Sequence, residues 1–328
     1  MLENIGDDLL NFGKNSPMTE LRAFPFAAMG TDCVLYLDAE RAVAEDVAAT
    51  AMAEVFRIEA AYSRYREDSV LSHINRIADA GGFVDVDAET AGLLDYAYAG
   101  HRKSDGLFDI TSGVLRRAWD FASPRLPPQK EIDRLLPRIG LDQVEWQPPR
   151  LTFRIPGMEL DFGGIGKEYA ADRVADICIA AGIASGLVDL GGDVRALGPR
   201  ADGTSWTVHI RDSRRPESAL ARVALAGGAI ASSGDYERYV EVDSKRYCHL
   251  MNPKTGWPVS GLAAVSVVAD RCLVAGTIST TAMLKGVDGP AWLDGLGIRH
   301  LWVDAYGIRG GNLDALPTDD QGKVLITP

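Results

Sequence analysis

The stretch ELDFGGIGKEYAADRVADICIAAGIASGLVDLGGDVRAL, residues 159–197, decides the fold. It reads as a strand ending at Asp161, then the glycine turn Gly163-Gly164-Ile165-Gly166-Lys167, then a helix to about residue 181. Ala170, Val174, Ile177 and Cys178 fall on one face of that helix, at the spacing of an amphipathic segment. Short β-type runs follow at 186–190 and 193–197, joined by Gly191-Gly192. Downstream the texture continues, with runs at 205–211, 219–225 and 237–242 separated by Gly, Asp and Ser. A further strand is expected at 263–269, a helix at about 273–285 and a closing strand at 299–304. Upstream, residues 23–38 read as a strand broken by the turn Met29-Gly30-Thr31. Helices are expected at 41–63 and 88–102. The proline-rich 123–150 reads as a surface excursion with a short helix at 130–137, and strand pattern resumes at 151–155. Helices cluster early and strands come in hairpin-like succession, which predicts an α+β fold and not a doubly wound parallel sheet.

The glycines suggest nucleotide motifs and fail each of them. Six residues before Lys167 stands Asp161 where a P-loop needs its first glycine, and Glu168 replaces the hydroxyl residue that would bind magnesium. Tyr169 sits where the last glycine of a dinucleotide fingerprint belongs. What remains is a flexible turn feeding a helix N-terminus, either an anion site or an ordinary strand-to-helix turn. Ala231-Ser232-Ser233-Gly234-Asp235-Tyr236 reads as a turn that holds a ligand or merely closes on itself. Phe108-Asp109-Ile110-Thr111-Ser112-Gly113 carries function or caps the segment holding Leu115 and Trp119. Of five histidines, His73, His101, His209 and His300 lie in segments without other reactive types. His249 stands at the junction of a strand and the turn His249-Leu250-Met251-Asn252-Pro253-Lys254-Thr255-Gly256, where scaffolds display catalytic groups.

The chain has 328 residues, 46% of them hydrophobic and 24% charged, ample for one large core or two small ones. Thirty-four basic against 46 acidic residues give a net charge of -12, which excludes a protein that grips nucleic acid by its phosphates. A polyphosphate must therefore be held locally, by a metal or by backbone N–H groups. No apolar run approaches the roughly 20 residues of a membrane span. The N-terminal MLENIGDDLLNFGKNS has acids where a signal peptide needs a basic region, and no lipobox, so a cytoplasmic location is expected. Residues 1–22 read as a mobile lead-in and 23–328 as the folded domain. Cys33, Cys178, Cys248 and Cys272 lie far apart, without the spacing of a zinc or redox site.

Taken in order, these pieces resemble the ApbE family of flavin transferases. The matching stretches are Met29-Gly30-Thr31; Tyr62 to Asn75; Phe108 to Gly113 with Trp119-Asp-Phe121; Asp161 to Asp172; Leu187 to Asp193; Ser232 to Tyr236; and His249 to Gly256. They span about residues 24–305. The resemblance implies a single α+β domain, related to the T-fold, with two lobes and FAD between them. It implies Mg2+-assisted cleavage of the FAD pyrophosphate, transfer of FMN to a Thr or Ser of an acceptor protein, and release of AMP. By position, Met29 and Tyr65 line the flavin side. Leu107, Phe108 and Asp109 contact FAD, with Asp109 toward the adenosine, and Asp161, Lys167 and Leu250 are further contacts, Leu250 through its backbone. His249 matches the base for the acceptor hydroxyl, and the Gly164 carbonyl and Thr280 fall on metal-ligand positions.

The metal site departs from the family. The pattern there resembles Ala-Asp-Ala-Leu-Ser-Thr-Ala, with the Asp and Thr on magnesium, whereas this chain has Ala275-Gly276-Thr277-Ile278-Ser279-Thr280-Thr281. The glycine that follows the family's lysine is replaced by Glu168. Asp270, Asp193 and Glu168 are candidates to supply the missing carboxylate. Two alternatives use the same site: an FAD-binding paralogue without turnover, and a pyrophosphatase releasing FMN and AMP to water.

Overall fold

The computed structural model describes residues 20–212, 215–236, 238–243 and 245–313. Most of the expected lead-in, residues 1–19, lies outside them. Residues 20–22, assigned to that lead-in, instead open the first strand. β1 (Glu20–Ala28) and β2 (Thr31–Ala39) pair antiparallel, with Ala28 opposite Thr31, so Met29 and Gly30 alone make the turn. Their φ values of 53° and 74° belong to the mirror-image turn whose twist suits a hairpin. Glycine enters that region freely. Met29 is held there with its N–H donating to Glu59 Oε1 at 2.7 Å.

The helices are α1 (Arg41–Tyr62), α2 (Val70–Ala80), α3 (Ala88–Lys103), α4 (Gln129–Leu135), α5 (Gly166–Ala180), α6 (Cys272–Lys285) and α7 (Gly289–Leu296). The remaining strands are β3 (Gly82–Asp85), β4 (Val144–Gln147), β5 (Arg150–Phe153), β6 (Gly186–Leu190), β7 (Asp193–Gly198), β8 (Trp206–Asp212), β9 (Arg215–Leu225), β10 (Gly228–Gly234), β11 (Tyr239–Val242), β12 (Lys245–Cys248), β13 (Leu262–Ala269), β14 (Arg299–Asp304) and β15 (Arg309–Gly311). Eight of them form an antiparallel sheet in the order β1-β2-β6-β7-β10-β13-β14-β15. A three-stranded sheet, β3-β5-β4, and the hairpins β8-β9 and β11-β12 complete the fold. The α+β class is the one the sequence indicates.

Both faces of the large sheet are covered. Cys33, Leu35, Leu37, Val188 and Leu190 point into a core shared with α1, α2, α3 and α5. Leu187, Val194, Ala196, Ile230 and Leu301 point the other way, under Trp206, Val208 and Val223 of β8-β9. α6 packs Ala275, Ala282 and Met283 on Ala231, Val265 and Val267. A fourth cluster packs Trp119 against Phe121, Tyr247 and Trp257, at centroid distances of 5.9, 6.1 and 5.2 Å. Trp119 Nε1 also donates to the Gly256 carbonyl at 2.9 Å, which fixes the turn after His249. All four cysteines are buried thiols.

Two expectations about elements fail. No strand leads into the glycine turn: after Phe153 the chain runs irregularly to Gly166. Its backbone is held from outside instead, with Leu160 N–H donating to Asn75 Oδ1 at 2.7 Å and Asp161 N–H to the Ile110 carbonyl at 2.8 Å. Nor is 231–236 a turn, since residues up to Gly234 form β10, with 231–234 paired to β13. Small hydroxyl residues suit this buried strand because they bond to each other, Ser232 Oγ lying 2.7 Å from Ser266 Oγ.

Candidate functional site

The loop before α5 gathers groups from four other parts of the chain. Asp161 carries an ion pair with Arg64, and its Oδ1 accepts from the Gly163 N–H at 2.9 Å, closing the loop on itself. Gly113 leaves room for this approach, because a Cβ there would stand 2.7 Å from Asp161 Cβ. Arg64 also donates to the Tyr65 hydroxyl at 3.0 Å. Burial would push the Tyr65 phenol up, but hydrogen bonds from Arg64 and Arg238 outweigh it and hold the phenol below its ordinary value. Its side chain is displayed to solvent, with 70% of the residue exposed. Lys167, in the first turn of α5, pairs with the buried Asp193 at 2.7 Å. The buried Phe108 lies against Gly164, whose added Cβ would stand 3.4 Å from its ring.

His249 follows β12 and is half-buried. Its N–H donates to the Arg238 carbonyl at 2.9 Å and its Nδ1 lies 3.2 Å from the same oxygen. A carbonyl only accepts, so this contact places the ring proton on Nδ1 and leaves Nε2 as a proton acceptor. Burial pushes the imidazole pKa down, and the positive charges of Arg238, Lys167 and Arg64 lower it further. The neutral ring is therefore the form at neutral pH. The same influences show that the histidine shares its surroundings with the residues around Asp161. Leu250 comes next, and its carbonyl accepts from the Val259 N–H at 2.9 Å.

Asp109 is largely occupied by its own scaffold. Its Oδ1 accepts from the Thr111 N–H at 2.8 Å and the Thr111 hydroxyl at 2.6 Å, and its Oδ2 from the Leu141 N–H at 3.0 Å. His101 Nε2 lies 3.3 Å from Oδ2, so this histidine, unremarkable in sequence, belongs to the same group. Burial pushes the Asp109 carboxyl up, but these four donors outweigh it and hold it below the usual carboxylate range. Asp109 lines the floor of a cavity bordered by Gly106, Gly140, Pro253 and Lys254, and Leu107 and Phe108 precede it on the same loop. Met29 stands apart, at the tip of the β1-β2 hairpin beside a second hollow lined by Gly30, Thr31 and Glu59.

The two positions expected to hold a metal lie on neighbouring segments. Thr280 on α6 has its hydroxyl 3.0 Å from Ser233 Oγ, which also lies 2.8 Å from Ser279 Oγ. Gly164 precedes α5. Of the candidate replacement carboxylates, Asp270 is exposed at the end of β13 and Asp193 is engaged by Lys167. Glu168 is buried and packs against Gly276 itself, in the space that a side chain at 276 would fill. The donor set of carbonyl, hydroxyl and carboxylate oxygens suits a hard cation such as Mg2+.

Sequence reasoning missed Arg238, which carries no motif and enters only through the fold. Arg64 lay inside a quoted stretch without a role. Its place beside Tyr65 was the available signal.

The ApbE family model matches residues 29–302. The FAD:protein FMN transferase of Vibrio cholerae is 30% identical over 230 residues, 68% of this chain and 69% of that protein. That of Treponema pallidum is 31% identical over 283 residues, 79% of this chain and 77% of that protein. The crystal structure of the ApbE protein from Thermotoga maritima has a TM-score of 0.82 at 29% identity, covering 89% of this chain and 97% of that one. The apo form of the flavinyl transferase ApbE from Pseudomonas stutzeri has a TM-score of 0.81 at 28% identity, covering 91% and 96%.

Proposed function

This chain belongs to the ApbE family, and from that premise we propose how it works as an FAD:protein FMN transferase, with FAD laid across the loops gathered before α5. The observation that carries the reading is the group of cations around His249. Arg64 beside Tyr65 and Asp161, Arg238 bonded to His249 through its carbonyl, and Lys167 in the first turn of α5 lie around one site in a chain of net charge -12. Bulk charge repels a pyrophosphate, so positive groups placed at one spot are what such a ligand requires. In this reading Asp161 positions Arg64, and Lys167 faces the pyrophosphate. Met29 and Tyr65 flank the flavin, while Leu107, Phe108 and Asp109 form the adenosine end. Leu250 meets FAD through its backbone, whose carbonyl also accepts from the Val259 N–H.

The reaction asks little covalent chemistry of the protein. The hydroxyl oxygen of an acceptor Thr or Ser forms a bond to the phosphorus of the FMN half. The bond from that phosphorus to the bridging oxygen breaks, and AMP leaves with the electron pair. His249 Nε2 takes the hydroxyl proton, a role for which its neutral state and its fixed Nδ1 proton prepare it. Mg2+, held by the Gly164 carbonyl and the Thr280 hydroxyl, would supply positive charge to the phosphate oxygens. The chain's own cations orient the pyrophosphate and neutralise the charge that develops on AMP.

The reading is tested by incubating the purified chain with FAD, with Mg2+ or with a chelator, and following AMP by chromatography. AMP release that needs Mg2+ is the expected result. FAD that binds and stays intact in both samples, with acceptor-containing cell extract added, would instead support a flavin-binding paralogue without turnover.

A further inference from the structure

We propose that in this chain the anionic ligand of the divalent cation is Glu168 of α5, taking the place of a carboxylate from α6. The proposal deepens the transferase reading and rests on it. Position 276 lies one helical turn before Thr280 on α6, so the two share a face. Gly276 is buried, and a Cβ built on it would stand 2.5 Å from Glu168 Cγ, 2.6 Å from Oε1 and 2.9 Å from Cδ. Real Cβ atoms do not approach so closely. A side chain at 276 and the present position of Glu168 therefore exclude each other. The space that a carboxylate from α6 would enter already holds a carboxylate from α5.

The exchange is reciprocal in the sequence. The family pattern places glycine after the lysine and aspartate on α6; this chain has Glu168 after Lys167 and Gly276 on α6. Glutamate, longer by one methylene, crosses from α5 to the face of α6.

The surroundings agree with this placement. Tyr96 donates to the Leu273 carbonyl at 2.9 Å, its hydroxyl oxygen lies 3.0 Å from Thr277 Oγ1, and it feels the charge of Glu168. Glu168 thus sits at the half of α6 that leads to Thr280. Gly164 lies four residues before Glu168, in the turn that enters α5. Phe108 and Thr277 both border Gly100, where an added Cβ would be 3.1 Å from the Phe108 ring and 3.5 Å from Thr277 Cγ2.

The other nearby acids have different work. Asp193 pairs with Lys167, and Asp172 accepts from the Cys272 and Leu273 N–H groups at 2.9 and 3.0 Å, capping α6. Among the described residues no three His, Cys, Asp or Glu side chains gather as a metal cage. A single carboxylate with neutral oxygens leaves room for waters and ligand phosphates, which is how Mg2+ is usually held.

The test titrates Mn2+, read by electron paramagnetic resonance, into the FAD-loaded chain and two variants, with FAD binding measured by fluorescence without metal. Glu168→Gln, which keeps shape and loses charge, is expected to weaken Mn2+ binding at least about tenfold. The double exchange Glu168→Gly with Gly276→Asp is expected to restore it to within about threefold of the unaltered chain, since it moves the carboxylate back to α6. Unchanged Mn2+ affinity in Glu168→Gln overturns the assignment, and so does an unaltered chain that holds FAD but no Mn2+. Loss of FAD binding by the unaltered chain would contradict the transferase reading itself, a distinct outcome read in the metal-free samples. Should the double exchange fail to fold, Gly276→Ala gives the same answer. Its Cβ displaces the Glu168 carboxylate and is expected to weaken Mn2+ binding, and unchanged binding there overturns the proposal.

Discussion

His249 is prepared to accept a proton, not to carry a charge. Its Nδ1 faces the Arg238 carbonyl, and burial together with three cations keeps the ring neutral below its ordinary pKa of 6.5. Its base form therefore persists as pH falls, and transfer should stay level through neutral pH. The rate should decline only below about 6.5, when the ring protonates. His249→Ala should lower the transfer rate roughly 10²–10⁴-fold and remove that acid limb. FAD binding, read by flavin fluorescence, should stay within about twofold, because the base acts in the chemical step. Equal loss of binding and transfer would make His249 a binding residue. At this scale the sequence was informative wherever reactive types stood in a Pro/Gly turn, as at His249. It was silent on Arg238, whose role comes from lying across a strand pair from the histidine.

At the scale of elements, the short 3-10 helix at Ile110–Arg117 shows how a site loop is built. Asp109 caps it through Thr111 and at the same time holds Leu141, so one carboxylate clamps two segments that border the proposed adenosine end. Asp109→Asn keeps one acceptor oxygen and replaces the other by a donor facing the Leu141 N–H or Thr111. A loss of about 1–3 kcal/mol in stability at pH 7 is expected from urea melts. The sign of the pH effect follows from the lowered pKa. The contribution is fully present above the unfolded carboxylate value of about 3.9 and disappears as pH falls through the folded value. The gap between the two proteins should therefore close in acid, and indistinguishable melts at pH 7 would show that the clamp is dispensable. α5 was legible from its apolar face, and β6 as a short continuous apolar run. β10 was not, because Ser232, Ser233 and Gly234 read locally as a turn and become a strand only by pairing with β13. The irregular approach to α5 was equally hidden, since its hydrogen-bond partners Asn75 and Ile110 lie far away in sequence.

Across the whole molecule, the large sheet places the β1-β2 hairpin, the loop before α5 and the α6 carboxylate exchange on a common scaffold. The fold class was legible because helical and strand periods segregate along the chain. The partition of the site was not, since which loops converge depends on packing between segments 50 to 150 residues apart, such as Arg64 with Asp161 and Trp119 with Gly256. The described residues include no helix long and apolar enough to cross a membrane. The central claim is transfer of FMN to protein, which differs from hydrolysis in where the flavin ends. The decisive measurement incubates the chain with FAD, Mg2+ and an extract of cells deleted for this chain, then compares AMP with flavin that remains on denatured protein. Equal amounts of AMP and protein-bound flavin, both absent with a chelator, are the result expected here. AMP matched by free FMN, with no flavin on protein, would contradict transfer and make the chain a pyrophosphatase.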